Sequence, residues 1–134
     1  MFALLFLLGH FVGDYFFQTN KMAMSKTKWD IGGWSACIIH SIIYSITFTI
    51  AMMFTGKEFN YIGLVTWTFI SHFPIDKVSF AKYIMNALGR PLPGQPQEAS
   101  SATVSWIVYV VIDNVLHLIF MLLGIYLLFP ELLP

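Results

Sequence analysis

Four stretches of this chain, 2–18, 34–54, 61–78 and 104–129, read as membrane-crossing helices. A bilayer's hydrocarbon layer is about 30 Å thick and a helix rises about 1.5 Å per residue, so about 20 largely apolar residues suffice to span it. Charged residues make up only 10% of the chain, against about a quarter in a soluble domain. Too little polar surface is left to face water all round. The expectation is an all-α, polytopic membrane protein, a single domain over 1–134 built as a four-transmembrane-helix bundle.

The first stretch has no basic leader and no small-residue cleavage site after it, and it holds His10 and Asp14 within its apolar run. It is therefore expected to be a retained helix rather than a signal peptide. After the third span, residues 79–88 predict a short interfacial helix, with Phe80, Ile84 and Leu88 along one side and Gly89 as its stop. Residues 89–103, rich in Pro, Gln and Ser, predict a flexible loop. Lys21, Lys26, Lys28, Lys77, Lys82 and Arg90 fall on one side of the bundle and only Lys57 on the other. The positive-inside rule then puts loops 19–33 and 79–103 in the cytoplasm and both termini outside. A formal net charge of zero gives no sign of a nucleic-acid partner. Cys37 is alone, which excludes an internal disulfide.

The polar residues inside the spans carry the chemistry. All four histidines (His10, His40, His72 and His117) lie there, with three of the four aspartates, Asp14, Asp76 and Asp113. His10 and Asp14, His72 and Asp76, and Asp113 and His117 are each four residues apart, so each pair shares a helix face. Nearly all seven fall in the cytoplasmic half of the expected bilayer and are expected to converge on one pocket. A lone Asp at mid-span costs about 2.5–3.5 kcal/mol on the insertion scale, so three need partners. Neutral imidazole and carboxylate are the ligands of zinc, and also of manganese or iron. Seven candidate ligands suggest one or two divalent ions. Gln18 continues the His10/Asp14 face and Asn114 adjoins Asp113, so both are candidate supports. Gly9 and Gly13 form a GxxxG pair that would let another helix approach closely. Pro74, between His72 and Asp76, would re-aim Asp76 if it broke the helix.

Against this stands the plain reading that an intramembrane histidine is a hydrogen-bonded packing residue. Three matched pairs at similar depth favour a functional site. The basic loop residues are most simply topology signals, with Lys21, Lys77 and Lys82 as weak candidates for an anionic headgroup.

The run GHFVGDYFFQTN, with a His in the second span, H-x-x-x-D in the third and D-x-x-x-H in the fourth, resembles a family of small bacterial and phage integral-membrane proteins known only as a domain of unknown function. The resemblance covers nearly the whole chain, with His10, Asp14, Gln18, His40, His72, Asp76, Asp113 and His117 as the matching positions, and it implies a bacterial inner membrane. More distantly, the H-x-x-x-D helices resemble the membrane-bound metal-dependent hydrolases and the helical zinc phospholipase C and nuclease group, though the H-x-x-x-E motif of the soluble enzymes is missing. That likeness implies hydrolysis of a phosphoester or lipid-linked substrate at the cytoplasmic leaflet. The expected partners are the lipid bilayer itself and an anionic phospholipid or phosphoester, and the sequence leaves homo-oligomers open. A proton or metal-cation pathway through the His/Asp set is the alternative, and a non-catalytic membrane partner protein the third.

Overall fold

The structure, a computed structural model, describes residues 1–96 and 99–133. All described secondary structure is helical. Helix α1 (Phe2–Phe11) runs directly into a π turn (Val12–Phe16). It is followed by α2 (Asn20–Ser25), α3 (Ile31–Met53), α4 (Tyr61–Val78), α5 (Phe80–Ala87), α6 (Ala99–Leu128) and a final 3-10 turn (Pro130–Leu132).

Local chemistry sets most of these boundaries. The side chains of Thr19, Asp30 and Asn60 accept hydrogen bonds from the backbone N–H of Met22, Gly33 and Gly63, capping α2, α3 and α4. Gly56 (φ 71°) follows α3 and Gly89 (φ 64°) follows α5, both in the left-handed region where a side chain is penalised. Pro74 does not break α4, which continues to Val78. The sharp corner comes one residue later, at Ser79 (φ 58°), whose hydroxyl lies 2.8 Å from the Tyr109 hydroxyl. Of the loop expected at 89–103, residues 99–103 instead open α6, and Gln97 and Glu98 lie outside the described residues. The expected helix at 79–88 forms as α5. It buries Ala81 and Met85 against α6, while Phe80 and Leu88 stay exposed.

Helix α3 is the hub, packing on α1, the π turn, α2 and α4, and α6 closes the bundle against α4 and α5. The α1–α3 crossing is close because of the two glycines. A Cβ on Gly9 would come to 2.9 Å from the Ala51 Cβ, and one on Gly13 to 2.9 Å from Tyr44 Cδ2. One end of the bundle is filled by Phe6, Phe48, Met52, Leu64, Met121, Ile125, Phe129 and Leu132. The other end buries polar side chains.

The outward faces are apolar. On α3 these are Ile38, Ile39, Ile42, Ile46, Ile50 and Met53, and on α6 Ile107, Val111, Val115, Ile119, Leu122 and Leu123. Among the described residues, helices α3 and α6 are the two that are long and apolar enough to cross a membrane. Residues Phe2–Phe16 form an apolar but shorter helix, and α4 carries Asp76 and Lys77 in its last turn.

Candidate metal centre

Three helical segments together bring four ligand side chains to one point. Asp14 comes from the π turn, His40 from α3, and His72 and Asp76 from successive turns of α4. All four are buried, and their ligand atoms lie within 4.8 Å of one another, a set that could hold a metal ion. A second such set, Asp14, Asp113 and His117, shares Asp14 with the first.

His40 Nε2 lies 3.1 Å from Asp14 Oδ1, 3.1 Å from Asp76 Oδ2 and 3.1 Å from His72 Nε2. His72 Nε2 is in turn 3.1 Å from Asp76 Oδ2 and 4.0 Å from Asp14 Oδ1. An imidazole nitrogen carries at most one proton, so one N–H on His40 cannot serve three neighbours at once. Among the described residues, Asp76 Oδ2 finds no hydrogen-bond partner despite its two imidazole neighbours. A cation at the centre would satisfy every one of these atoms. Ligands at about 2.0–2.1 Å around a tetrahedral ion stand about 3.3–3.4 Å apart, close to the spacing found here. The donor set and its spacing therefore fit zinc, or another divalent ion that accepts N and O ligands.

The π turn is part of this construction. It widens the helix at Asp14, a distortion that recurs at functional sites. Asp14 turns to His40 on α3, while His10, four residues earlier, takes other partners. His10 Nδ1 lies 2.8 Å from the Tyr44 hydroxyl and its Nε2 lies 2.9 Å from Asn114 Oδ1. Asn114 Nδ2 donates to the Val110 carbonyl at 2.7 Å and to the Tyr15 hydroxyl, which leaves Oδ1 as acceptor. His10 therefore carries its proton on Nε2 and accepts from Tyr44 on Nδ1. Both ring nitrogens are engaged, and His10 belongs to neither set of four or three. It braces the centre through Tyr44, whose ring stacks on His72 with centroids 3.7 Å apart and 19° between planes.

His117 is held differently. Its Nδ1 donates to the Asp113 carbonyl at 2.9 Å, which leaves the Nε2 lone pair buried and, among the described residues, without a hydrogen-bond partner. That nitrogen lies 3.6 Å from Asp76 Oδ1. Backbone-anchored Nδ1 with free Nε2 is the usual preparation of a ligand histidine. Gln18 meets the Asp14 backbone carbonyl at 2.6 Å, not its carboxylate.

The basic residues divide sharply. Lys21 is exposed. Lys77 is buried, and its ammonium donates to the carbonyls of Lys26 (3.2 Å) and Lys28 while lying 4.6 Å from the Trp34 ring centroid. It clamps the loop after α2 rather than facing a headgroup. Lys82 lines a cavity of about 530 Å³ beside the centre. In the sequence Lys26 stands only as a topology signal. In the structure its Nζ reaches Asp76 Oδ1 at 2.8 Å with the side chain only 13% exposed. Burial alone would lower its pKa, but Asp76 and Asp14 outweigh that and hold it above the ordinary value. Neither Lys26 nor Tyr44 carries a local sequence signal for such a role, since each acquires its partner by tertiary packing.

The cavity is also lined by Asp14, Tyr15, Gln18, Trp106, Tyr109 and Asp113. It gives the centre an opening beside α2 and α5. Fold and site together define an all-helical protein with apolar outer faces and a buried histidine–aspartate centre. The chain belongs to the family "Protein of unknown function (DUF3307)", whose model matches residues 2–132. No curated protein and no solved structure matches it.

Proposed function

We propose that this chain is a membrane-embedded, metal-dependent hydrolase acting on a phosphoester, a lipid or lipid-linked substrate met at the cytoplasmic leaflet. The observation that carries the reading is the contact pattern of His40 Nε2, within 3.1 Å of two carboxylates and a second imidazole. One divalent ion, zinc being the best fit, would take Asp14, His40, His72 and Asp76 as ligands. Such an ion supplies Lewis acidity, activating a water and polarising a phosphoryl oxygen.

The chain's own residues supply the rest. Asp113 lines the cavity with its side chain 14% exposed and stands outside the four-donor set, so its carboxylate is the candidate base. In the step it would serve, a water oxygen forms a bond to phosphorus, its proton passes to Asp113 and the ester oxygen leaves. Lys26 and Lys82 bring positive charge to the same cavity, which suits an anionic headgroup.

Outward-facing isoleucine, valine and leucine with polar side chains inside support a membrane setting for the whole bundle, with α1 and α4 as shorter companions of α3 and α6. The basic side would face the cytoplasm. A transport path is disfavoured, because the half of the bundle beyond the centre is packed with Phe6, Phe48, Met52, Leu64, Met121 and Ile125.

The test is direct. The detergent-purified protein should hold stoichiometric divalent metal by mass spectrometry, and His72→Ala should lose it. A panel of phospholipids and soluble phosphoesters then measures turnover. Absence of bound metal after incubation with zinc, manganese and iron would sink the reading, and metal without turnover would reduce it to a binding protein.

A further inference from the structure

Three carboxylates, Asp14, Asp76 and Asp113, converge where a metal of charge two can neutralise only part of them. In a low-dielectric interior an uncompensated charge is costly, so a further cation would stabilise the ionised set. The second donor set offers room for another metal ion, but one cation is already there. The Lys26 ammonium lies 2.8 Å from Asp76 Oδ1 and feels the charges of Asp14 and Asp113 as well.

We propose that Lys26 is the built-in second cation of the centre, so that the protein holds one metal ion and not two. This rests on the metal reading above. Asp76 then works with both oxygens. Oδ2 faces the two imidazoles, and Oδ1 is taken by Lys26, which fixes the carboxylate's rotation. One divalent ion and one ammonium balance the three carboxylates and leave the centre neutral.

Geometry beyond the ion pair agrees. An ammonium has three donors, and Asp76 uses one. The buried Nε2 of His117 stands 3.6 Å from the same Oδ1, an acceptor with no donor of its own among the described residues. Lys26 also lines the cavity with Asp14 and Asp113, which puts its charge beside the place where a substrate anion would enter. In two-metal phosphoester chemistry the second ion stabilises charge on the reacting oxygens. Lys26 takes that place here as a point charge anchored from behind, its backbone carbonyl held by Lys77.

Zinc titration of the chelator-stripped, detergent-purified protein, with ions counted by mass spectrometry, decides this without any activity assay. Wild type should saturate at one ion per chain. Lys26→Arg, which keeps the charge, should also take one, whereas Lys26→Met should rise to two. Two ions in wild type, or one in Lys26→Met, would overturn the proposal while leaving the metal reading intact. No ion in wild type would strike that reading itself. The wild-type count discriminates one metal from two even if Lys26→Met fails to fold.

Discussion

His40 on α3 and His72 on α4 bring their Nε2 atoms to 3.1 Å from each other, with a carboxylate oxygen of Asp76 3.1 Å from both. Two neutral imidazoles so placed can share one proton at most, and the carboxylate would need a second. A common cation facing those lone pairs would satisfy all of them at once. What sets this distance is the hub position of α3 and an α4 that stays helical through Pro74.

Asp113→Asn keeps the size and hydrogen-bonding reach of the side chain but removes its basicity. Metal content should remain at the wild-type level, because the four-donor set is untouched. Phosphoester turnover should fall by about 10²–10⁴-fold, the usual contribution of a general base. Equal turnover in the two proteins would remove Asp113 from the chemistry.

Tyr44→Phe separates bracing from ligation. The ring that stacks on His72 stays, but the hydroxyl that donates to His10 Nδ1 is lost. A buried nitrogen is left without its donor, which costs about 1–3 kcal/mol. Thermal melting in detergent should show that loss while bound metal is retained.

Lys77→Met should destabilise far more than Lys21→Ala. Lys77 satisfies two loop carbonyls and sits against Trp34 and Trp29, so its loss orphans acceptors in a buried position. Lys21 is exposed. Expected costs are about 2 kcal/mol or more for the first and within about 0.5 kcal/mol for the second. Limited proteolysis between α2 and α3 should also accelerate only in Lys77→Met.

Gly13→Ala tests the close approach of the π turn to α3. The added methyl would meet Tyr44 Cδ2 at 2.9 Å and Tyr44 Cα at 3.3 Å. The ring can shift, but the backbone contact must open, at about 1–3 kcal/mol. Because Asp14 is the next residue, metal affinity should drop along with melting temperature. Unchanged affinity would mean that the π turn adjusts independently of Asp14.

Much of the site could be read from the chain alone. Ionisable residues confined to apolar helices must face one another, so His40, His72, Asp76, Asp14, Asp113 and His117 were legible as a group from their placement and four-residue spacing. The stop at Gly89 and the apolar character of the long helices followed from local rules in the same way. His10 was not separable from the others on sequence, because the π turn changes which way Asp14 points relative to it. Helix α2 was missed inside the first connection, being short and without an apolar stripe.

What the sequence determined by itself was the long apolar helices and the short helix α5, the placement of the histidines and three of the aspartates within them, and the kind of ligand they offer. Those depend on hydrophobicity and helical period, both properties of neighbouring residues. Tertiary structure alone decided that Lys26 enters the centre, that Lys77 turns inward to hold a loop, and that His10 spends both nitrogens on Tyr44 and Asn114. Each of those partners is distant in the chain, and an ammonium or imidazole chooses among them only once packing has fixed which carbonyls, hydroxyls and carboxylates lie within reach.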